Sequence, residues 1–262
     1  MVPLDIIVRT HYVADRDPRK PRYCGAPKNE VTRRCLISLV HAINEMSDAV
    51  SARLTLYDDN SGDVALAEMR AILDALKKPH IGEIIQSKVH GATATMVPAF
   101  TYLRDAHRGG YVYSLEDDYL CEPGKNILEE MVNSIEYFRA QLGGRKVALY
   151  PFNDPYRYYV AKNIELTRVV QGPKRHWRLN YFTTGTFFTT PSVLRDHFES
   201  ISALGKVPVS ATMEDDTINK VWKEQGVTLF TPIPSVALHI QCDTEKDPYI
   251  PWETWWEAAK SI

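Results

Sequence analysis

The sequence predicts an α/β protein with a mostly parallel sheet flanked by helices. Short apolar runs of strand length alternate along the chain with amphipathic stretches of helical period, which is typical of parallel strands joined by crossover helices. Several of these runs end in polar or acidic residues, and the carboxyl edge of such a sheet is where ligands bind. The length of 262 residues allows one large domain or two small ones.

Composition excludes several classes of protein. A hydrophobic content of 44% and a charged content of 24% are ordinary for a soluble globular chain. The net charge of −2 argues against binding of nucleic acid by the chain as a whole, although a local basic face is compatible with it. Cysteines without a CxxC pair argue against a structural zinc site and a dense disulfide framework. These cysteines are Cys24, Cys35, Cys121 and Cys242.

The amino terminus and the hydropathy of the chain bear on its location. The apolar stretch at the amino terminus is too short, and is followed too soon by charged residues, to form a signal peptide. No apolar run is long enough to span a membrane. We therefore expect free thiols in a reducing compartment and a cytoplasmic protein, or one of the host cytoplasm if the source is a virus.

The first half of the chain is expected to hold four buried strands with helices between them. The strands are predicted at 4–8, 53–57, 83–86 and 111–115. The helices are predicted from a cap at Asn29 or Thr32 to Met46, from a cap at Ser61 or Asp63 to a point before Pro79, and over 92–107. A long basic loop, 14–30, follows the first strand and is either a solvated connection or a cover for a diphosphate.

The second half is expected to continue the sheet and then change in character. Its elements are a helix over 125–141, strands at 147–150, 228–230 and 236–240, a β-like run over 182–190, helices from Pro191 to Ser200 and from Met213 to Gly226, a turn at 232–234, and a closing helix within 243–262. Between 157 and 178 there are six Lys or Arg residues and a single acid, Glu165. Alternation over 158–164 and 165–170 suggests a β-ribbon with its turn region at 171–173.

Three acids end the buried strand that begins at Tyr111. We call Glu116, Asp117 and Asp118 the acid triplet. Carboxylates at the end of a buried strand are costly unless positive charge lies beside them. A divalent cation that carries a phosphate is a natural partner, because such cations prefer oxygen ligands. The plain alternative is an acidic turn in solvent.

Three further motifs have the same double interpretation. Residues 58–63 read Asp-Asp-Asn-Ser-Gly-Asp after a strand, and they could be a turn that caps a helix. Glu214, Asp215 and Asp216 open a helix, where acids also complement the helix dipole. His239 lies in the last apolar run and could be an ordinary core histidine. The Thr184–Thr186 segment, Thr-Gly-Thr, precedes a helix.

In their chain order and spacing four motifs resemble those of GT-A glycosyltransferases, closest in layout to the inverting family 2 type. They are 58–63, the acid triplet, the Thr184–Thr186 segment, and Glu214-Asp215 followed by a strand with His239. The resemblance covers roughly residues 4–240 and implies a Rossmann-like mixed sheet, mostly parallel and flanked by helices. It implies a single domain over 1–262. In that domain 1–122 would form the half that binds the nucleotide sugar and 123–262 the half that binds the acceptor.

The resemblance also implies roles for individual residues. The donor would be bound by Arg9, Thr10, Asp58, Asp59, Glu116 and Asp117. Asp58 or Asp59 would accept hydrogen bonds from a uracil N–H or from ribose hydroxyls, and Glu116 would be the outer or ribose-facing acid. A divalent cation would be held by Asp118 and His239, with Mn²⁺ favoured over Mg²⁺ because it tolerates mixed carboxylate and imidazole ligands. Asp215 would be the base, with Asp216 as the neighbouring candidate. Glu116 departs from the family, which commonly has Asp there.

The implied reaction is a metal-dependent, inverting transfer of a sugar from a nucleotide-diphosphate donor, UDP-sugar favoured, to an acceptor hydroxyl. The acceptor would be a saccharide or glycoconjugate, or a hydroxylated base in viral DNA, since basic residues interleaved with aromatic ones could bind phosphate and stack on rings. The residues predicted to contact it are Lys174, Arg175, Trp177, Arg178, Thr184 and Gly185. The donor sugar and the oligomeric state stay open.

Two other functions fit the same layout. One is a nucleotidyltransferase that makes sugar nucleotides. Such an enzyme is expected to have a Gly-rich basic signature near its amino terminus, but residues 8–25 contain a single glycine, Gly25. The other is a catalytically inactive GT-A-like binding module, against which the intact acids and His239 argue.

Overall fold

The computed structural model describes residues 1–12, 22–155, 158, 167–208, 210, 212–241 and 246–262. Within them the chain forms a nine-stranded sheet in the order β3-β2-β1-β4-β9-β6-β10-β8-β7 and a two-stranded sheet of β5 and β11. The strands are β1 (Val2–Thr10), β2 (Val50–Asp58), β3 (Ile81–Gln86), β4 (Tyr111–Glu116), β5 (Tyr119–Cys121), β6 (Val147–Leu149), β7 (Val169–Gln171), β8 (His176–Asn180), β9 (Phe187–Thr189), β10 (Thr228–Ile233) and β11 (Ala237–His239).

Helices cover the sheet. They are α1 (Lys28–Asn44), α2 (Asp63–Leu73), α3 (Met96–Ala106), α4 (Ile127–Gln141), α5 (Pro191–Asp196), α6 (Phe198–Ser202), α7 (Met213–Asp216), α8 (Asn219–Lys223) and α9 (Trp252–Ala258), with a 3-10 turn at Ala203–Gly205. Within the described part of the chain, no helix is both long enough and apolar enough to cross a bilayer.

The strand directions confirm the predicted α/β class. Strands β3, β2, β1, β4, β6, β10 and β7 run one way, and β9 and β8 oppose them. Central strands β1 and β2 are buried over most of their length, although polar side chains such as Asp5 and Arg53 interrupt their apolar residues. The predicted strands of the first half are confirmed, each extended by a few residues.

The register of the central strands sets the geometry of their carboxyl edge. Arg9 on β1 pairs with Tyr57 on one side and with Glu116 on the other. Thr10 is paired with Asp58 at the end of β2. The last residues of three parallel strands therefore lie side by side, as expected for the ligand-binding edge of an open sheet.

The sequence predicted only one strand of the short antiparallel pair β5–β11. The run at 236–240 was predicted, but its partner β5 has three residues, too few to give a periodic signal. Tyr119 pairs with His239 in this ladder, and the Ile240 N–H donates to the Asp118 carbonyl at 2.8 Å. The small sheet thus brings His239 back to the end of β4.

Several predicted boundaries are wrong for physical reasons. Helix α1 begins at Lys28 after Pro27, so Asn29 and Thr32 lie inside it and no side chain caps it, and the Thr32 hydroxyl is bound to Asp117. The cap of α2 is Gly62, and the Ser61 hydroxyl donates to Asp58. Helix α3 begins at Met96 rather than at residue 92.

The carboxyl-terminal half holds further differences. The helix expected from Met213 to Gly226 is divided into α7 and α8 at Thr217, whose φ of −129° and ψ of −104° are not helical. The turn expected at 232–234 is instead the end of β10, where Pro232 pairs with Trp177. The turn of the predicted ribbon is confirmed, since β7 and β8 form a hairpin around it. The ribbon's first strand, 158–164, lies outside the described residues except for Tyr158, and so do 165–166.

Candidate active site

Glu116, the first acid of the triplet, has both oxygens occupied. Arg9 Nη2 lies 2.7 Å from its Oε1, and the Thr184 hydroxyl donates to its Oε2 at 2.9 Å. The other terminal nitrogen of Arg9 donates to the Ala92 carbonyl at 2.6 Å. A Cβ at Gly185 would lie 3.4 Å from Arg9 Nη2, so the glycine allows the guanidinium to approach this loop closely. The predicted residues Arg9, Glu116, Thr184 and Gly185 are therefore brought together.

Asp117 is closed on every side by hydrogen-bond donors. Its carboxylate is paired with the Lys28 ammonium and accepts hydrogen bonds from the Thr32 hydroxyl at 3.0 Å and the His11 N–H at 2.9 Å. Burial alone would lower the pKa of Lys28, but Asp117 and Asp118 raise it above its ordinary value, so the ammonium stays charged. Asp117 thus fastens the start of α1 to the ends of β1 and β4.

Asp118 differs from the other two acids because one oxygen is open. Its Oδ2 accepts a hydrogen bond from Gln241 Nε2 at 2.9 Å, whereas its buried Oδ1 has no hydrogen-bond partner among the described residues. His239 Nε2 lies 3.4 Å from Oδ1. Burial would raise the pKa of Asp118, but the positive charges of His239 and Lys28 bring it well below its usual range.

An orphaned carboxylate oxygen beside an imidazole nitrogen fits a divalent cation that accepts mixed oxygen and nitrogen ligands. Asp118 and His239 are two such ligands. Across the part of the chain that the structure describes, no group of three His, Cys, Asp or Glu side chains has the arrangement of a metal site. A cation here would therefore take its remaining ligands from outside the protein, from a diphosphate or from water.

The two acids at the end of β2 have different surroundings. Asp58 is fully buried and accepts hydrogen bonds from the Ser61 N–H and hydroxyl, at 2.8 and 2.6 Å, and from the Thr10 hydroxyl at 3.1 Å. It shapes the turn into α2. Asp59 accepts from the Gly91 N–H at 2.9 Å and has histidine nitrogens nearby, His90 Nδ1 at 3.4 Å and His11 Nδ1 at 3.8 Å. Of the pair, Asp59 is the acid that lies beside the two imidazoles.

The predicted bases Asp215 and Asp216 are exposed and bound to local partners. Asp215 Oδ1 accepts from Lys223 Nζ at 2.7 Å and from Asn219 Nδ2 at 3.1 Å. Asp216 Oδ2 accepts from the Thr212 hydroxyl at 2.9 Å. The connection to the acid triplet runs through Asn219, whose Oδ1 accepts from the Thr183 N–H at 2.9 Å, next to Thr184.

The four predicted acceptor residues at 174–178 lie on the β7–β8 hairpin, which β9, β6 and β10 separate from β4. Arg175 is paired with Glu130 at 2.6 Å and with Glu122 at 3.1 Å. Trp177 is completely buried and packs edge to face on Phe138, with ring centroids 5.7 Å apart. The structure therefore does not bring these two side chains to the acid triplet.

The other two have different exposure. Arg178 is buried and lies over the ring of Tyr158 at 5.1 Å, whereas Lys174 is exposed. Lys174 and Arg175 border an open cleft of about 700 Å³ that also includes Glu45, Glu122 and Lys125.

Sequence reasoning missed four side chains that complete the site. Lys28 and Thr32 bind Asp117, Gln241 binds Asp118, and Tyr119 packs on His239. Lys28 lies inside the predicted basic loop 14–30, where no single lysine stands out. Tyr119 follows the acid triplet, and Gln241 follows the run that contains His239, and neither side chain is charged. Tyr119 could have been found as the aromatic residue that directly follows the acid triplet in a buried run.

The fold is the GT-A fold, and its similarity to one solved structure supports this assignment. The mannosyltransferase PcManGT from Pyrobaculum calidifontis, determined in complex with GDP-Man and Mn²⁺, is similar over 96% of this chain and 59% of its own, with a TM-score of 0.51 at 14% identity. S. aureus TarS, as its 1–349 fragment, is similar over 87% of this chain and 60% of its own, with a TM-score of 0.49 at 12% identity.

The chain thus spans about 60% of the length of these two structures. No protein-family model and no curated protein sequence matches it. At such identities the similarity to PcManGT shows the fold, and the predicted GT-A fold is confirmed. The closer likeness to the inverting family 2 type stays a prediction.

Proposed function

We propose that the protein is a metal-dependent glycosyltransferase that moves a sugar from a nucleotide-diphosphate donor, with UDP-sugar favoured, to an acceptor hydroxyl with inversion. The observation that carries the proposal is the open Oδ1 of Asp118 beside His239, at the carboxyl edge of a GT-A sheet. A buried carboxylate needs compensating positive charge, and a divalent cation between this oxygen and the imidazole would take over the role that the charges of His239 and Lys28 have.

In this proposal Asp118 and His239 hold the cation, with Mn²⁺ favoured over Mg²⁺. When bound, the cation neutralises the diphosphate that leaves with the nucleotide. Arg9 and Thr10, with Glu116 and Asp59, lie on the donor side. The guanidinium of Arg9 is fixed by Glu116 and Ala92 before any donor arrives, so its orientation costs little on binding.

The proposed base is Asp215 or Asp216, which takes the proton of the acceptor hydroxyl during the displacement. Asp215 Oδ1 is paired with Lys223 and Asp216 Oδ2 accepts from Thr212, so a local partner competes for one oxygen of each base candidate. We favour a saccharide or glycoconjugate as the acceptor over a DNA base. Trp177 and Arg175, two of the basic and aromatic residues on which the DNA interpretation depended, are engaged in packing and ion pairs within the protein.

A thermal-shift panel tests donor, metal and class together. UDP, GDP and their common sugar conjugates are each added with and without Mn²⁺. A ligand at about one hundred times its Kd adds about 2.7 kcal/mol of stability, which for a chain of this size raises Tm by roughly 5–10 °C. We expect that shift for one nucleotide family and only in the presence of Mn²⁺. No shift with any nucleotide would overturn the proposal, and an equal shift without Mn²⁺ would remove the metal from it.

A further inference from the structure

Tyr119 directly follows the acid triplet and is completely buried. It pairs with His239 across the β5–β11 ladder, and the two rings are stacked, with centroids 4.8 Å apart and planes inclined by 18°. Phe152 packs against the same imidazole at 6.2 Å in an edge-to-face arrangement. The plane of the His239 ring is therefore set largely by aromatic neighbours, of which Tyr119 is the nearer.

The hydroxyl of Tyr119 reaches the opposite side of the site. It lies 3.0 Å from the Tyr150 hydroxyl and 3.5 Å from Thr184 Oγ1. The same Thr184 hydroxyl donates to Glu116 Oε2, and Glu116 in turn binds Arg9. A short chain of polar contacts thus connects the phenol of Tyr119 to the donor side.

Two arms of the site can be defined from these contacts. The metal arm consists of Asp118 and His239, and the donor arm consists of Arg9, Glu116 and Thr184. Tyr119 touches both arms, the metal arm through its ring and the donor arm through its hydroxyl. A phenylalanine would supply the ring contact alone, and a buried hydroxyl is costly unless it is hydrogen-bonded.

We propose that Tyr119 is a positioning residue that holds the two arms in register, with its ring orienting His239 and its hydroxyl orienting Thr184 and Glu116. This inference rests on the proposed function, because it assigns the metal and the nucleotide to those arms. Since ring and hydroxyl serve different arms, two substitutions of one residue should have separable effects.

The first test compares Tyr119→Phe with wild type and with Tyr150→Phe. Binding of Mn²⁺ is followed by the EPR signal of the free ion, and binding of UDP or GDP, whichever stabilises wild type more, is measured by calorimetry with Mn²⁺ present. Tyr119→Phe keeps the ring and loses the hydroxyl, so we expect unchanged Mn²⁺ affinity and nucleotide affinity weakened about fivefold, the effect of one lost hydrogen bond.

Tyr150→Phe is the matched control, because it removes a hydroxyl from the same cluster while Tyr119 keeps its contact with Thr184. We expect its nucleotide affinity to stay within about twofold of wild type. Equal losses in the two variants would show a general effect of the cluster and overturn the proposal. An unchanged nucleotide affinity in Tyr119→Phe would overturn it as well.

The second test removes the ring. Tyr119→Leu should weaken Mn²⁺ binding about tenfold, in the range expected for groups that orient a metal ligand. A folded Tyr119→Leu protein with wild-type Mn²⁺ affinity would overturn the ring's role, and if this variant does not fold, Tyr119→Phe decides alone. Wild-type protein that binds neither nucleotide would overturn the proposed function itself, whereas wild-type binding that Tyr119→Phe leaves unchanged overturns this inference only.

Discussion

At the scale of single residues, the acid triplet shows how neighbours of similar chemistry take different roles. Glu116 and Asp117 have their oxygens filled by cations, hydroxyls and a backbone N–H, whereas Asp118 has one oxygen without a donor. Ionised carboxylates that are fully hydrogen-bonded stabilise the fold, and an open one is available to a ligand. The three acids are therefore distinguishable by their contacts, although not by their order in the sequence.

This difference predicts the effect of Asp118→Asn. The amide keeps the size of the side chain but loses the charge, so we expect Mn²⁺ affinity to fall by at least about tenfold, measured by EPR of the free ion. Asp63→Asn is the matched control, an exposed acid in the first turn of α2 for which no change is expected. If Asp118→Asn binds Mn²⁺ as wild type does, Asp118 is not the metal ligand.

At the scale of elements, the first two turns of helix α1 are joined to the carboxyl-terminal segment that contains α9. Glu30 is bound by Arg33 at 2.8 Å and by Arg34 at 2.6 Å. These arginines also donate to the carbonyls of Lys260 and Trp256, and Arg34 lies over the Trp256 ring at 4.4 Å. Glu30 therefore aligns two arginines that hold the carboxyl-terminal helix in place.

The pairing of Glu30 predicts a pH-dependent effect of Glu30→Gln. The hydrogen bond from Arg33, aided by Arg34, lowers the pKa of Glu30 from 4.5 to about 2. A lowered pKa contributes stability that is present above pH 4.5 and is lost as pH falls towards 2. We expect Glu30→Gln to lower the free energy of unfolding by about 1 kcal/mol near neutral pH, and by much less near its folded pKa. Urea unfolding of both proteins across this range measures it, and a difference independent of pH would contradict it.

In the β7–β8 hairpin, substitution of two adjacent basic residues should have very different effects on stability. Arg175 is paired with Glu130, which is itself buried, so Arg175→Met leaves a buried carboxylate without its cation. Such a loss costs about 3–5 kcal/mol. Lys174→Met removes an exposed charge and should change stability by less than about 0.5 kcal/mol. Urea unfolding compares them, and equal stability of the two variants would show that the Arg175 network contributes little.

The elements also show what the sequence can and cannot predict. Buried parallel strands such as β1 and β4 are rich in apolar residues, so their position and the polar or acidic residues at their ends were predictable. The contact between Glu116 and Thr184 was not, because it depends on β9 entering between β4 and β6. Capping was also mispredicted at Thr32, since a hydroxyl near a helix start can serve a distant acid instead of the local backbone.

At the scale of the whole molecule, the two halves of the chain are interleaved. Strand β9, from the second half, pairs with β4 of the first and with β6 of its own half. Strand β11 pairs with β5, and α9 is fastened to α1. The two halves that the sequence suggested, 1–122 and 123–262, therefore share one sheet, and the acid triplet is completed by residues from both.

The interleaving predicts one cooperative unfolding transition for the chain. Unfolding of the second half would remove β9 from the edge of β4 and β11 from β5, so the edges of β4 and β5 would lose their hydrogen-bond partners. The acid triplet would also lose its contacts with Thr184 and His239. The first half alone, 1–122, should therefore not fold. Scanning calorimetry measures this, with a calorimetric enthalpy equal to the van't Hoff enthalpy as the expected result. Two separate transitions, or a folded 1–122 fragment, would show that the halves are independent units.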